Sequence, residues 1–550
     1  MLKKSLIIIS ALLVAIIAVG IVSASQDFDE NLTLDDSSDS LAINEDLNDK
    51  VPIEKTDGEI YTTTREPAGK TFSDIQNTVK KSKDGDTIEL SGTYAGSGKD
   101  ITINKKLTIT GKKNAKLDAK KTLSKIKVNK EVTFKGITFT NFNTKSKDGA
   151  ILGHDKITFI NCAFTNNKGS YCIAMDDDEV SGFHDLIIKN CKFTKNNADN
   201  IITNLNGKIT ISNSKFLNNK GTVINTDKVQ ATNCDFTGNK EAIVCTSAIL
   251  KNCNFKNNEY GIYMDDMDGK GSTIDKCNFS KNKFCAIQTL DNAKISNSNF
   301  IANKHALYCV EKYEYGDIFG TISFKNCLFK SNTNTAIYSY GSLIIKKCTF
   351  EKNAGRLAGA IYSCSPAKNY QSSLKISDST FKNNRAYYAG AVKIEGTKAK
   401  ISNTKFKSNK QCSIILTNTK AYGHDDIIYK HIGKLTINSK TYKNVNLNHK
   451  LRKVSIVKVT AKKVKAKYRS GKHLTVKLIG KNNKKPVTGS KITFKVFTGK
   501  KYKYYHRTTN RKGIAKLTVN FSVGKHKVVI TSPFGLCNIP KTTTSVEITQ

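Results

Sequence analysis

Residues 231–263 read ATNCDFTGNKEAIVCTSAILKNCNFKNNEYGIY, and the pattern Asn-Cys-x-Phe-x-x-Asn occurs twice within them. Following its phenylalanine along the chain gives Phe139, Phe164, Phe193, Phe216, Phe236, Phe255, Phe279, Phe300, Phe329, Phe350, Phe381 and Phe406. The intervals run from 19 to 31 residues. They average about 24, a length at which one small structural unit repeats and stacks on its neighbours.

Each repeat holds only short apolar runs of Ile, Val, Phe and Thr between Asn, Gly, Lys and Ser, which predicts strands. In Asn161-Cys162-Ala163-Phe164, alternation puts Cys162 and Phe164 on one face, and Asn166-Asn167 reads as a turn in which Asn tolerates left-handed backbone. A second run follows, as in Ala242-Ile243-Val244, Gly261-Ile262-Tyr263, Ala306-Leu307-Tyr308, Ala336-Ile337-Tyr338 and Gly390-Ala391-Val392. Two or three strands per turn, stacked in parallel, make a parallel β-helix. Coils about 4.8 Å apart would place the phenylalanines in one interior column. A second column of small residues would hold Cys162, Cys191, Cys234, Cys253, Cys277, Cys327 and Cys348, with Ser214, Ser298, Ser379 and Thr404 substituting. A third column, Asn161, Asn190, Asn213, Asn233, Asn252, Asn297, Asn326 and Asn403, is expected to form a side-chain amide ladder that satisfies buried turn groups.

The chain opens with Met1-Leu2-Lys3-Lys4 and an apolar run from Leu6 to Val22, then Val22-Ser23-Ala24, a small-residue cleavage site. Residues 1–24 therefore read as a secretion signal; left uncleaved, they would be the chain's membrane anchor. Residues 25–61 are acidic and poor in aromatics, with net charge −10 over Gln26 to Tyr61, and read as a disordered tether. The rest is strongly basic, within a total of +43. Only seven of the 89 cations are Arg and there is no Trp, so a Lys-dominated surface spread over every repeat argues for a solvated face or an anionic wall or glycan partner, and against specific nucleic-acid readout. The cysteines behave as small buried hydrophobes, Cys245, Cys309 and Cys364 closing second runs, so free thiols are expected. Zinc is not expected, because no CxxC pair occurs and the nine His are scattered.

Ahead of the repeats, Thr71-Phe72-Ser73-Asp74-Ile75-Gln76 reads as a helix start, with Ser73 and Gln76 spaced as a capping box and Phe72, Ile75 and Val79 on one face. That helix should cap the open N-terminal end of a β-helix spanning 62–420. A transition segment, 421–454, leads to 455–550, where strict alternation in Leu474-Thr475-Val476-Lys477-Leu478 and Ile492-Thr493-Phe494-Lys495-Val496 predicts an antiparallel β-sandwich. The fold class is thus all-β. The stretch from Thr71 to Ala119, the Asn-x-x-Phe-x-x-Asn coils and the C-terminal module together resemble the adhesin-like surface proteins of methanogenic archaea. That resemblance implies a right-handed parallel β-helix of the pectate-lyase-like kind. Pro486 to Ser490 and Thr509 to Ala515 are similar to bacterial Ig-like domains.

Long excursions follow the second run in four repeats. They contain Asp176, Asp177 and Asp178; Asp265, Asp266 and Asp268; Glu311, Tyr313 and Tyr315; and Tyr370. They should project from one side of the rod as acidic and aromatic ligand-contact loops. Arg356 and Arg385, rare arginines about one coil apart, could join Tyr370 in a carbohydrate patch, with solvent-exposed turns as the plainer reading. Paired carboxylates of a glycosidase must approach within about 5 to 9.5 Å, whereas the Asp176 and Asp265 loops are four coils, about 19 Å, apart. No catalytic residue, cofactor or metal site is assigned; calcium is the one cation the Asp clusters would suit, without the ligand spacing of a recognised calcium loop.

The leading expectation is a secreted or cell-surface protein that binds a wall polymer, glycan or host-surface ligand without catalysis. The alternative is a polysaccharide lyase or glycosidase on the same fold, and a third reading is a structural envelope component.

Overall fold

A computed structural model of the chain describes residues 62–144, 149–175, 184–264, 271–310, 319–365, 370–410, 412–422, 428–443, 445–448, 450–451, 453, 457–481, 484–531 and 540–550. The described residues form one compact unit. Two long sheets, parallel except at the C-terminal end of the larger, run through its N-terminal part. One holds 14 three-residue strands in sequence order, from Thr93–Ala95 to Lys405–Lys407; the other holds 29 strands and wraps round the two remaining sides of each coil. Each coil therefore has a phenylalanine face, a second face and a third face, as in Ala163–Thr165, Lys168–Met175 and Leu186–Lys189.

The phenylalanine column is continuous. From Phe139 to Phe406 each ring stacks on the next at centroid distances of 4.4 to 5.0 Å and within 16° of parallel. In-register pairing of Phe with Phe imposes this spacing, which equals the strand separation. The column starts earlier than the motif does: Tyr94 pairs with Leu117 and Leu117 with Phe139. Shape and apolarity suffice at the end of the stack, so these coils lack the Asn and Cys signature.

Two left-handed residues bracket each phenylalanine strand. Those three before Phe (Asn161, Asn190, Asn213, Asn233, Asn252, Lys276, Asn297, Asn326, Lys347, Asp378, Asn403) all have φ between 42° and 56°. Those two after it include Asn166, Lys195, Asn218, Lys281, Ala302 and Ser331, at 55° to 57°. Such corners turn the chain sharply between faces, and Asn pays the least for them after Gly.

This corrects the expected ladder. The Asn161 to Asn403 column lies at exposed corners and is bridged only in places, as from Asn233 to Asn213 at 3.1 Å and Asn326 to Asn297 at 2.9 Å. The buried ladder is the last Asn of the motif: Asn167, Asn196, Asn219, Asn239, Asn258, Asn282, Asn303, Asn332, Asn353 and Asn384, ending on the half-buried Asn409. Each Nδ2 donates to the phenylalanine carbonyl of the preceding coil, as Asn196 to Phe164 at 3.0 Å and Asn282 to Phe255 at 3.0 Å. Each Oδ1 from Asn196 onward accepts both the backbone N–H and the Nδ2 of the preceding Asn, as Asn282 from Asn258 at 3.1 and 3.3 Å. The carboxamide is donor and acceptor at once, so a single side chain closes the polar accounts of an inward corner. In the coil before Asn167 the position is held by Phe142, whose ring lies 6.0 Å from Phe72.

The Cys column is likewise more than small. Each thiol donates to the carbonyl two residues back, as Cys253 to Lys251 at 3.3 Å. Ser214, Ser298, Ser379 and Thr404 do the same at 2.6 to 2.8 Å. What the column requires is a short side chain with one proton to donate. The thirteen cysteines among the described residues are buried free thiols.

A helix spans Phe72–Lys81 with Phe72, Ile75, Thr78 and Val79 buried. Its N-cap is Thr71, paired with Asp74 in a capping box, rather than Ser73 with Gln76. Gln76 lies one turn in, where its carboxamide bonds the backbone of Thr102 instead. At the other end the parallel pairing continues past residue 420, because Lys434–Ile437 adds in register to Lys398–Ser402. Beyond it, a three-stranded and a five-stranded sheet enclose Leu474, Val476, Phe494, Val528 and Ile548. Their pairings are antiparallel except Val464–Lys467 with Thr542–Thr549. Tyr388, Ala389, Cys412 and Ile415 of the last coils share this second core, and Tyr387 donates to the Pro486 carbonyl at 3.0 Å.

Candidate functional site

The second face carries an outward row that changes character along the rod. In register it reads Ala174, Thr203, Asn225, Val244, Tyr263, Gln288, Tyr308, Tyr338, Tyr362, Lys393 and Ile415. Its first four positions are Ala, Thr, Asn and Val; tyrosine holds four of the next five. The neighbouring Ile262, Leu307, Ile337 and Ile361 point into the core, so the period of two forces each tyrosine outward.

Further rings widen the row into a stripe. Tyr260, Phe284 and His305 flank it on one side, with Phe284 4.8 Å from Tyr260 and 5.5 Å from Tyr308. Tyr338 follows at 5.6 Å from Tyr308, and Tyr362 at 4.8 Å from Tyr338. On the other side Tyr340 lies 5.9 Å from Tyr338, Phe319 6.4 Å from Tyr340, and Tyr370 5.3 Å from Phe319. Tyr263, Tyr308, Tyr338, Tyr340 and Tyr370 are half-buried.

Burial raises the hydroxyl pKa of Tyr260, Tyr308, Tyr338 and Tyr370. These phenols are neutral donors at physiological pH. His305 is the buried base of the stripe. Burial drives its pKa down to about 4. As the neutral imidazole, its Nδ1–H donates to the Thr335 carbonyl at 3.0 Å and its Nε2 accepts from Asn334 Nδ2 at 3.2 Å.

The stripe ends at a charged knot. Lys393, with a side chain 1% exposed, donates to Glu395 Oε2 at 2.7 Å, and the Tyr362 hydroxyl donates to the same oxygen at 2.7 Å. The Lys393 ammonium also lies 4.8 Å from the Tyr362 ring and 5.7 Å from that of Tyr388. Next in register is Ile415, already in the C-terminal core, so the C-terminal module closes this end of the stripe.

Of the residues singled out in the sequence, Asp176, Asp177, Asp178, Asp265, Asp266, Asp268, Glu311, Tyr313 and Tyr315 lie outside the described residues. The second-face strands that precede the two Asp segments, Lys168–Met175 and Tyr260–Met264, are four coils apart. Tyr370 joins the stripe, its hydroxyl 2.8 Å from Ser342 Oγ. Arg356 and Arg385 are exposed and sit in neighbouring coils, next to the pairing of Ala354 with Arg385. They do not join Tyr370, because the chain crosses the whole second face, Ile361–Cys364, between Arg356 and Tyr370.

Sequence reading missed Tyr308, Tyr338, Tyr362, His305 and Lys393. The three tyrosines carried a signal, a Tyr directly after the small-Ile or small-Leu pair of the second run; His305 and Lys393 carried none. Elsewhere an open hollow of about 380 Å³ on the phenylalanine face is lined by Thr138, Ala163, Thr165, Asn166, Lys192, Thr194 and Lys195 and gathers no acid or base pair. Among the described residues no group of three or more His, Cys, Asp and Glu is placed to hold a metal ion.

A search among curated proteins found no match. Among solved structures, a mutant tailspike protein of E. coli bacteriophage HK620 in complex with a hexasaccharide is similar at 8% identity and TM-score 0.35, over 86% of this chain and 88% of that one. The gp42 tailspike of Acinetobacter phage vb_AbaP_AS12 shares 11% identity at TM-score 0.21, over 84% and 82%. The family model described as the right handed beta helix region matches residues 148–301, 206–343 and 267–424. These overlapping matches cover half the chain and coincide with the coils that carry the Phe, Cys and Asn columns, so the chain belongs to the right-handed β-helix family.

Proposed function

We propose that this is a secreted or cell-surface adhesin-like protein that holds a glycan or other cell-surface polymer along its second face. The observation that carries the reading is the tyrosine stripe. Rings repeat at the coil spacing, about 4.8 Å, close to the length of one sugar ring. Half-buried aromatic faces with neutral hydroxyls offer apolar contact and hydrogen bonds together. Several such contacts along one rigid rod add by multivalency.

In this reading residues 1–24 direct export, 25–61 tether the rod, and the helix Phe72–Lys81 covers its N-terminal end. The two C-terminal sheets act as an Ig-like spacer, in keeping with the resemblance to archaeal adhesin-like proteins. The test is retention of the protein on a panel of wall polymers and host glycans, with released sugar scored in the same wells. Retention without release, weakened about tenfold by Tyr308→Ala with Tyr338→Ala, supports binding. Release of reducing or unsaturated ends would overturn it in favour of a glycan-cleaving enzyme, with Glu395 the first carboxylate to replace. Equal retention of the double variant would remove the stripe from the account.

A further inference from the structure

Residues 457–550 contain 23 Lys and Arg and a single carboxylate side chain, Glu547. Their net charge of +22 is half that of the whole chain, in about a sixth of its length. Glu547 is engaged by Lys465 at 3.4 Å. Like charges at this density repel one another and oppose compaction. The module offers its other cations no carboxylate side chain of its own, so a counter-charge must come from outside it.

The five-stranded sheet shows where that counter-charge would meet more than salt. Its edge strand is Lys501–Thr508, paired on one side to Lys491–Thr498. Alternation turns Phe494 and Val496 into the core and leaves Lys495 and Phe497 on the outer face, opposite Tyr504 and Tyr502. Tyr502 and Tyr504 are 53% and 51% exposed. The Lys495 ammonium lies 3.6 Å from the Tyr502 ring centroid, 5.1 Å from Phe497 and 5.6 Å from Tyr504. Exposed rings arranged round an ammonium present an apolar surface and a positive charge at one place, and packing does not require either tyrosine there.

We infer that this outer face, built on Lys495, Tyr502 and Tyr504, is a second binding surface, for a polysaccharide bearing carboxylate or sulfate groups. Sugar rings supply apolar faces for the tyrosines, and their acidic substituents meet Lys495 and the surrounding basic module. Two features favour such a polymer over nucleic acid. Only three of the 23 cations are Arg, the residue suited to bidentate phosphate and base contacts. Tyr502 and Tyr504 meet edge-on, at 68° and 5.3 Å, rather than as parallel platforms for successive bases. The surface is separate from the second-face stripe, so each can fail without the other.

The experiment measures binding of the full chain to immobilised polygalacturonate and dextran sulfate, with uncharged dextran as reference, over roughly 50 to 300 mM salt. Single- and double-stranded DNA serve as competitors. The wild type should bind both acidic polymers, release them as salt rises, and ignore dextran. Tyr502→Ala with Tyr504→Ala should weaken binding about tenfold, Tyr502→Phe with Tyr504→Phe should restore it, and Lys192→Gln on the β-helix should leave it unchanged. Wild-type binding by the Ala pair, equal binding to dextran, or displacement by DNA at lower concentrations than by polygalacturonate would each overturn the inference.

Discussion

Replacing Asn282 by Ala isolates the asparagine ladder. In the native chain Asn282 Nδ2 donates to the Phe255 carbonyl at 3.0 Å and to Asn303 Oδ1 at 2.8 Å, while its Oδ1 accepts from the N–H and Nδ2 of Asn258. Asn282→Ala leaves the Asn258 N–H and one arm of the Asn258 carboxamide without their partners and removes one of two bonds to the Phe255 carbonyl, which keeps its ladder bond from Ser280. All three groups are buried. At about 1 to 3 kcal/mol for each of the two stranded groups and about 1 kcal/mol for the lost bond, partly recovered by relaxation, the loss should be about 3 to 6 kcal/mol. Asn252→Ala is the matched control. Asn252 is exposed at φ 54°, its side chain bonds only Asn233 at 3.2 Å, and the chain already tolerates Ala302 at φ 55°. Its loss should be about 1 kcal/mol. Equilibrium unfolding in guanidinium compares the two, and native-state hydrogen exchange at Asn258 and its neighbours locates the damage, which should stay within adjoining coils because a solenoid is stabilised by nearest neighbours. A loss for Asn282→Ala within about 1 kcal/mol of the control would refute the account of the ladder.

His305 makes stability depend on pH. Its folded pKa of about 4 lies below the value near 6.5 in an unfolded chain, so the unfolded state binds more protons between these limits. Stability is therefore fully present above about pH 6.5 and falls by roughly 3 kcal/mol toward pH 4; unfolding curves of wild type and His305→Gln at several pH values should differ in slope over that window, and parallel curves would contradict the buried neutral imidazole. The thiols give an independent check of the interior. Burial pushes Cys309 up to about 11 and raises Cys172 and Cys285 further, so iodoacetamide at pH 8 should leave these three untouched in the folded chain and alkylate them after unfolding. Rapid labelling of the native protein, or disulfide-linked peptides joining Cys columns, would refute it.

Much of the architecture is legible from local rules. Phe and Cys recur at a separation of two, so they share a face whatever the rest of the chain does, and a repeat near 24 residues leaves room for three short strands per coil. The roles of the asparagines were not legible in the same way. Three positions of the motif attract Asn for different reasons: two for a left-handed corner, where Lys, Ser and Ala also serve, and one for a buried carboxamide ladder, filled by Asn in all eleven coils from Asn167 to Asn409. Only the third is intolerant. That difference becomes visible when the positions are aligned by coil and their burial is known.

The amino-acid sequence by itself determined the repeat, the strand character, the interior Phe and Cys columns and the excess of lysine, because each follows from spacing or composition along one chain. Tertiary structure decided which residues from different coils become neighbours. Tyr308, Tyr338 and Tyr362 are 24 to 30 residues apart in sequence and adjacent on the rod, and Lys393 gains Glu395 and two rings at the closed end of the same row. Arg356 and Tyr370, only 14 residues apart, are separated by the strand between them. Stacking converts intervals of one coil into contacts a few ångströms long, whereas shorter intervals carry residues to different faces, and linear distance does not record that exchange.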